Sequence, residues 1–253
     1  FGYGHDGSSL SMTNLISSSG VVATDVTGVG TARQSLAAAG YGSDKAIFGY
    51  GVNATPYVSL TNLVSNSGVV ATDTTGVGTA RGYLAAANYG LDKVIFGYGY
   101  GGANSSLTNL VSSSGVVATD TTGVGSARRT LAATGYGTDK AIFGYGYDGS
   151  SRNSMTNLVS NTGVVASDTG GVGTARNDLA AASYGTDKAI FGYGSTGSNV
   201  SLTNLVSNTG VVSADVTGVG TARLAPAATN YGGDKAIFGY GSTGSNVSMT
   251  NLV

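Results

Sequence analysis

Ala127-Arg128-Arg129-Thr130-Leu131-Ala132-Ala133-Thr134-Gly135-Tyr136-Gly137-Thr138-Asp139-Lys140-Ala141-Ile142-Phe143-Gly144-Tyr145-Gly146 decides how this chain is read. An arginine opens a run of small residues, Tyr-Gly-Thr-Asp turns the chain, and a large apolar run ends in Gly-Tyr-Gly. The alanines favour a helix by propensity, but the run is only about four residues long and lies between glycine-bearing turns. That is too short to stand as a helix. Two short strands joined by a hairpin-like turn account for it better.

The same pattern recurs along the whole chain. Phe-Gly-Tyr-Gly begins at Phe1, Phe48, Phe96, Phe143, Phe191 and Phe238, at spacings of 47 or 48 residues. Thr-Asn-Leu-(Val/Ile) begins at Thr13, Thr61, Thr108, Thr156, Thr203 and Thr250. A Val-Val segment ends at Asp25, Asp73, Asp120, Asp168 and Asp215, and an Ala-Arg segment recurs at Arg33, Arg81, Arg128, Arg176 and Arg223. Residues 1–253 read as a single repeat domain, with units at about 1–47, 48–95, 96–142, 143–190 and 191–237 and a partial unit at 238–253. Each unit holds four strand-like segments separated by Gly, Asn and Asp.

The expected fold class is all-β: a β-propeller of four-stranded antiparallel blades, because such a sheet buries both faces only between two neighbours. Five blades are expected, with six as the alternative, and a β-solenoid of larger coils is the rival architecture. Two segments occur six times and two occur five times, so the ends carry duplicate strands. This overhang closes a five-bladed ring, marks a fragment of a larger array, or exchanges strands between molecules.

The Arg128–Gly146 stretch, followed by Leu-Thr-Asn-Leu-Val-type and Val-Val-Ala-Ser-Asp-type segments, resembles a kelch repeat. It is also similar to the highly repetitive kelch-like propellers of phage and environmental bacterial sequences. The likeness covers the whole chain, but kelch repeats carry adjacent glycines and a Trp, whereas this chain has Gly-Tyr-Gly and no Trp. The resemblance implies the propeller fold, not the roles of eukaryotic kelch proteins.

Composition narrows the function. Twelve Lys and Arg against 13 Asp, with no Glu, give a net charge of −1, which offers no electrostatic footprint for nucleic acid. No long apolar run or basic amphipathic helix points to membrane insertion. No signal peptide is visible, and the sequence opens inside a repeat. Cysteine is absent and His5 is the only histidine, so thiolate, triad and metal chemistry lack parts. The expectation is a non-enzyme with no cofactor and no metal.

Most charges sit at repeat positions. The arginines 33, 81, 128, 176 and 223 and the aspartates 25, 73, 120, 168 and 215 are expected to hydrogen-bond within or between repeats. The Thr75–Arg81 glycine loop lacks the helix and lysine of a phosphate cradle and reads as a turn. Variation concentrates in one loop per repeat. There Tyr57, Tyr100 and Tyr147, with Asn104 and Asn199, are candidate ligand-binding residues, since exposed aromatics stack on sugars. Asn53, Asn104, Asn199 and Asn246 lie in glycosylation sequons. The expected role is recognition outside the cell or on a virion, by multivalent binding of a glycan or cell-surface partner. The alternative is a structural subunit of a filament or virion appendage that contacts copies of itself.

Overall fold

Each Tyr-Gly-x-Asp segment closes a tight antiparallel hairpin because two successive residues accept a left-handed φ. Gly42 and Ser43 do so in one copy, at 58° and 67°, and Gly137 and Thr138 in another, at 58° and 69°. The computed structural model describes residues 2–17 and 19–253. Phe1, the first phenylalanine of the Phe-Gly-Tyr-Gly series, lies outside the described residues.

A two-stranded sheet comes first, made of β1 (Gly2–His5) and β2 (Ser9–Thr13). Five three-stranded sheets follow. The first contains β3 (Ala37–Tyr41), β4 (Lys45–Gly49) and β5 (Thr61–Val64). The second contains β6 (Ala85–Tyr89), β7 (Lys93–Gly97) and β8 (Thr108–Val111). The third contains β9 (Ala132–Tyr136), β10 (Lys140–Tyr147) and β11 (Arg152–Val159). The fourth contains β12 (Ala180–Tyr184), β13 (Lys188–Gly192) and β14 (Thr203–Val206). The last contains β15 (Ala227–Tyr231), β16 (Lys235–Gly239) and β17 (Thr250–Leu252). In each three-stranded sheet the apolar run is the middle strand, antiparallel to both neighbours. The alanine-rich runs are strands despite their helix propensity.

The chain is all-β, but the expected propeller of four-stranded blades is not what forms. The Val-Val segment makes only two isolated bridges to the third strand of its sheet, Val64↔Val70 and Thr61↔Thr74 in the first three-stranded copy. Between those bridges the register slips by one residue, so no ladder propagates. The Asn62 amide fills the gap, donating from Nδ2 to the Ala71 carbonyl at 3.0 Å and to Asp73 Oδ1 at 2.9 Å. Nor does any sheet close. Among the described residues no strand pairing joins the first sheet to the last, and Tyr240 on the last sheet is 56% exposed where Tyr50, Tyr98 and Tyr145 are fully buried.

Successive sheets stack through one recurring junction. The phenylalanine of each sheet sits against the first glycine of the preceding Phe-Gly-Tyr-Gly. A Cβ built on Gly144 would lie 2.6 Å from Phe191 Cζ, and one on Gly97 2.6 Å from Phe143 Cζ. The tyrosine two residues on from the phenylalanine meets the next phenylalanine edge to face, as Tyr98 meets Phe143 at 5.1 Å and Tyr145 meets Phe191 at 5.2 Å. Each core cluster therefore spans two neighbouring sheets.

The buried arginine locks both sides of this junction. Arg128 is fully buried. It donates from Nε to the Tyr145 carbonyl at 2.8 Å, from Nη1 to the Ser126 carbonyl at 3.0 Å and from Nη2 to Asn157 Oδ1 at 2.6 Å. Its guanidinium carbon lies 4.2 Å from the centre of the Tyr98 ring in the preceding sheet. Burial pushes the Tyr98 phenol up to about 12.

Backbone bonds then join one sheet to the next at both ends. The amides of Gly42, Gly90, Gly137 and Gly185 donate to the carbonyls of Asp92, Asp139, Asp187 and Asp234. At the opposite end Tyr83, Thr130, Asp178 and Ala225 donate to Ser35, Tyr83, Thr130 and Asp178.

Candidate functional site

The second of these ladders places the most divergent residues of the repeat side by side. The residue after each buried arginine is Gln34, Gly82, Arg129, Asn177 or Leu224, and the next is Ser35, Tyr83, Thr130, Asp178 or Ala225. All five of the latter hold a positive φ, between 49° and 56°. A left-handed φ costs a non-glycine residue roughly 1–3 kcal/mol, and such strain gathers at functional sites. The same five residues, each with the Leu or Pro that follows it, line a cavity of about 190 Å³. Five units of one chain thus converge on a single opening, each presenting a different side chain.

The variable loops fold onto this end. Bridges join Gln34, Val52 and Tyr57; Gly82, Tyr100 and Asn104; Arg129 and Tyr147; Asn177, Ser195 and Asn199; and Leu224, Ser242 and Asn246. Tyr57 and Tyr100 meet edge to face at 5.7 Å. The Arg129 guanidinium carbon lies 4.6 Å from the Tyr100 ring centre and 5.2 Å from that of Tyr147. Arg129 Nη1 donates to Asn104 Oδ1 at 3.3 Å.

Polar residues extend the cluster into the next repeat. Arg152 Nε donates to Asn177 Oδ1 at 2.8 Å, and Asn177 Nδ2 donates to Asp178 Oδ2 at 2.7 Å. Burial raises the Asp178 pKa above the ordinary carboxylate value, and the charges of Arg152 and Arg129 only partly offset it. Asp148 is committed to its own turn. Its carboxylate accepts from the Ser150 and Ser151 amides at 2.8 and 2.7 Å and from Asn153 Nδ2 at 3.1 Å. These bonds hold it well below the ordinary range.

Of the residues singled out in the sequence, Tyr57, Tyr100, Tyr147 and Asn104 come together around Arg129. Asn199 lies one repeat further on and donates to the Ser242 carbonyl at 3.2 Å. Among the sequons, Asn53 and Asn246 are exposed, while Asn104 and Asn199 are half-buried. The aspartates from Asp73 to Asp215 clasp the segment that leads into the first strand of their own sheet. Asp168 accepts from the Ser126 amide at 2.9 Å and from its hydroxyl at 2.8 Å, and stands 3.8 Å from Arg128. The Thr75–Arg81 glycine loop likewise turns its Thr79 amide onto Asp120, at 2.9 Å, so a side-chain carboxylate sits where a phosphate cradle would hold its anion.

The ends depart from this pattern. Asp25 is exposed and accepts from Asn14 at 2.7 Å. Arg223 is fully buried, and among the described residues its Nε and Nη2 have no hydrogen-bond partner. His5 is exposed and accepts from the Gly7 amide at 3.2 Å. No metal-ligand cluster forms among the described residues.

Arg129, Asn177, Asp178 and Tyr83 escaped the sequence reading because they lie outside the variable loops, and Arg152, inside one of them, was not singled out beside the aromatics. A signal was present: once the repeat charges are removed, only Asp6, Arg129, Asp148, Arg152 and Asp178 remain. No protein-family model matches the chain, and no curated protein matches it.

Proposed function

We propose that this repeat protein is a non-enzymatic recognition module that acts outside the cell or on a virion and binds a glycan at the end where its copies diverge. The supporting observation is the cluster in which Arg129 lies over the Tyr100 and Tyr147 rings, Tyr57 meets Tyr100 edge to face, and the Asn104 amide accepts from Arg129. Aromatic faces suit the apolar faces of sugar rings, and amides and guanidinium N–H groups suit their hydroxyls. The copies differ chemically here, which favours one composite surface over several equivalent sites.

A glycan array probed with the purified chain tests this reading. Binding should appear and weaken about thirtyfold in Tyr100→Ala, the effect of losing roughly 2 kcal/mol from a central aromatic contact. A chain silent on all glycans would defeat it.

A second reading has its own support: a structural subunit that contacts copies of itself. The last sheet presents an apolar hollow lined by Ala227, Ala228, Ile237 and Tyr240. Sedimentation that shifts to larger species as concentration rises would support it. A monomer at every concentration would remove it.

A further inference from the structure

We propose that Arg129 and Arg152 form one anionic subsite per chain, suited to the carboxylate of an acidic saccharide; this deepens the glycan reading and rests on it. The first argument is the distribution of charge. Five arginines and five lysines occupy repeat positions, and four of those arginines stand 3.7 or 3.8 Å from a repeat aspartate. Arg129 and Arg152 are the two cations outside the repeat pattern, and both pair with Tyr147 of the same sheet.

The second argument is their bonding. Each gives one side-chain hydrogen bond to a neutral amide, Arg129 to Asn104 and Arg152 to Asn177, and neither forms an ion pair among the described residues. Their remaining N–H groups are available. The nearby carboxylates do not take them: Asp148 is held by its own turn and Asp178 by Asn177. A guanidinium presents a planar fork that matches a carboxylate with two parallel hydrogen bonds.

The third argument is rigidity. In this sheet the hairpin continues past a bulge at Gly144–Gly146 into the variable loop, with β10 and β11 each eight residues long where the corresponding strands of the other sheets have three to five. Tyr147 pairs with Arg152 across that hairpin and bridges to Arg129 on its other side. The two cations therefore flank an aromatic residue that is paired on both sides by backbone bridges, which fixes a site better than an unpaired loop does. A sugar ring on Tyr147 would place a ring carboxylate within reach of the guanidiniums. Two cations are too few for a nucleic acid backbone, whose binding needs many phosphate contacts.

Calorimetric titration of the whole chain with oligogalacturonate, a neutral cello-oligosaccharide and a sulfated oligosaccharide tests the proposal. Oligogalacturonate should bind at one equivalent per chain and more weakly as salt rises. Arg152→Gln and Arg129→Gln should each lose at least about tenfold in affinity, the cost of one charge-assisted bond, with unfolding midpoints unchanged. Arg152→Lys, which keeps the charge and folds under the same packing, should retain salt-dependent binding that is weaker than wild type.

Equal binding of the neutral sugar, indifferent to Arg152→Gln, would overturn the subsite and leave the glycan reading standing. So would five equivalents per chain, or tighter binding of the sulfated sugar. Failure of every saccharide would overturn both.

Discussion

Gly144 has no room for a side chain because the Phe191 ring lies against its Cα, whereas among the described residues a Cβ on the corresponding Gly239 would meet only Thr250 Cγ2, at 3.4 Å. Neither glycine has a positive φ, so steric overlap alone separates them. Gly144→Ala should therefore destabilise the protein by about 1–3 kcal/mol, the usual cost of overpacking a core. Gly239→Ala should be neutral or slightly stabilising, as Ala restricts the unfolded chain. Denaturant unfolding of the two variants checks this, and equal losses would contradict the junction. The arginines offer a parallel comparison. Arg128→Met breaks a saturated buried network and should cost roughly 3–5 kcal/mol. Arg223→Met removes a cation two of whose nitrogens have no hydrogen-bond partner among the described residues and should cost far less.

At the scale of the element, the aspartate clasp governs the response to acid. Burial disfavours ionisation of Asp73, Asp120, Asp168 and Asp215. Hydrogen bonds from the neighbouring Thr or Ser and Asn, with the arginine charge, outweigh it and lower each pKa. A folded pKa below the unfolded value means that the contribution is complete above the unfolded pKa of about 4 and is lost as pH falls through the folded one. Thermal unfolding temperatures should thus drop as pH is taken below about 4, and a flat profile into strong acid would show that the clasps contribute nothing. Asp178 has the opposite sign. Its raised pKa makes its contribution complete below the unfolded value and lost as pH rises through the folded one. Asp178→Asn should then be more stable than wild type at neutral pH and equal to it in strong acid.

At the scale of the whole molecule, each inner sheet is covered on both sides and the last is not. β15 and β17 are mostly exposed, whereas β9 and β10 are mostly buried. In stacked arrays stability is a sum of unit and neighbour terms, so the unit with one neighbour opens first. Hydrogen exchange should be faster over residues 227–252 than over residues 132–159. Equal protection in both segments at high concentration would mean that a second copy covers the last sheet, and would favour the assembly reading over the solitary recognition module.

The sequence by itself determined the repeat, its length, its all-β character and the hairpin turns, because each depends on local spacing: glycine at left-handed positions, and apolar runs of strand length between them. It also brought Tyr57, Tyr100, Tyr147 and Asn104 to notice, because they break an otherwise regular pattern. The fate of the Val-Val segment was settled by tertiary structure. A one-residue slip opposite Thr61–Val64 leaves bridges where four matched segments promised a fourth strand. Closure was settled there too: among the described residues no strand pairing joins the first sheet to the last, and which sheets meet is a property of the stack rather than of any repeat. The same holds for the site. Arg129, Arg152 and Asp178 lie up to 49 residues apart in the chain, and only the stacking of neighbouring sheets brings them near one another.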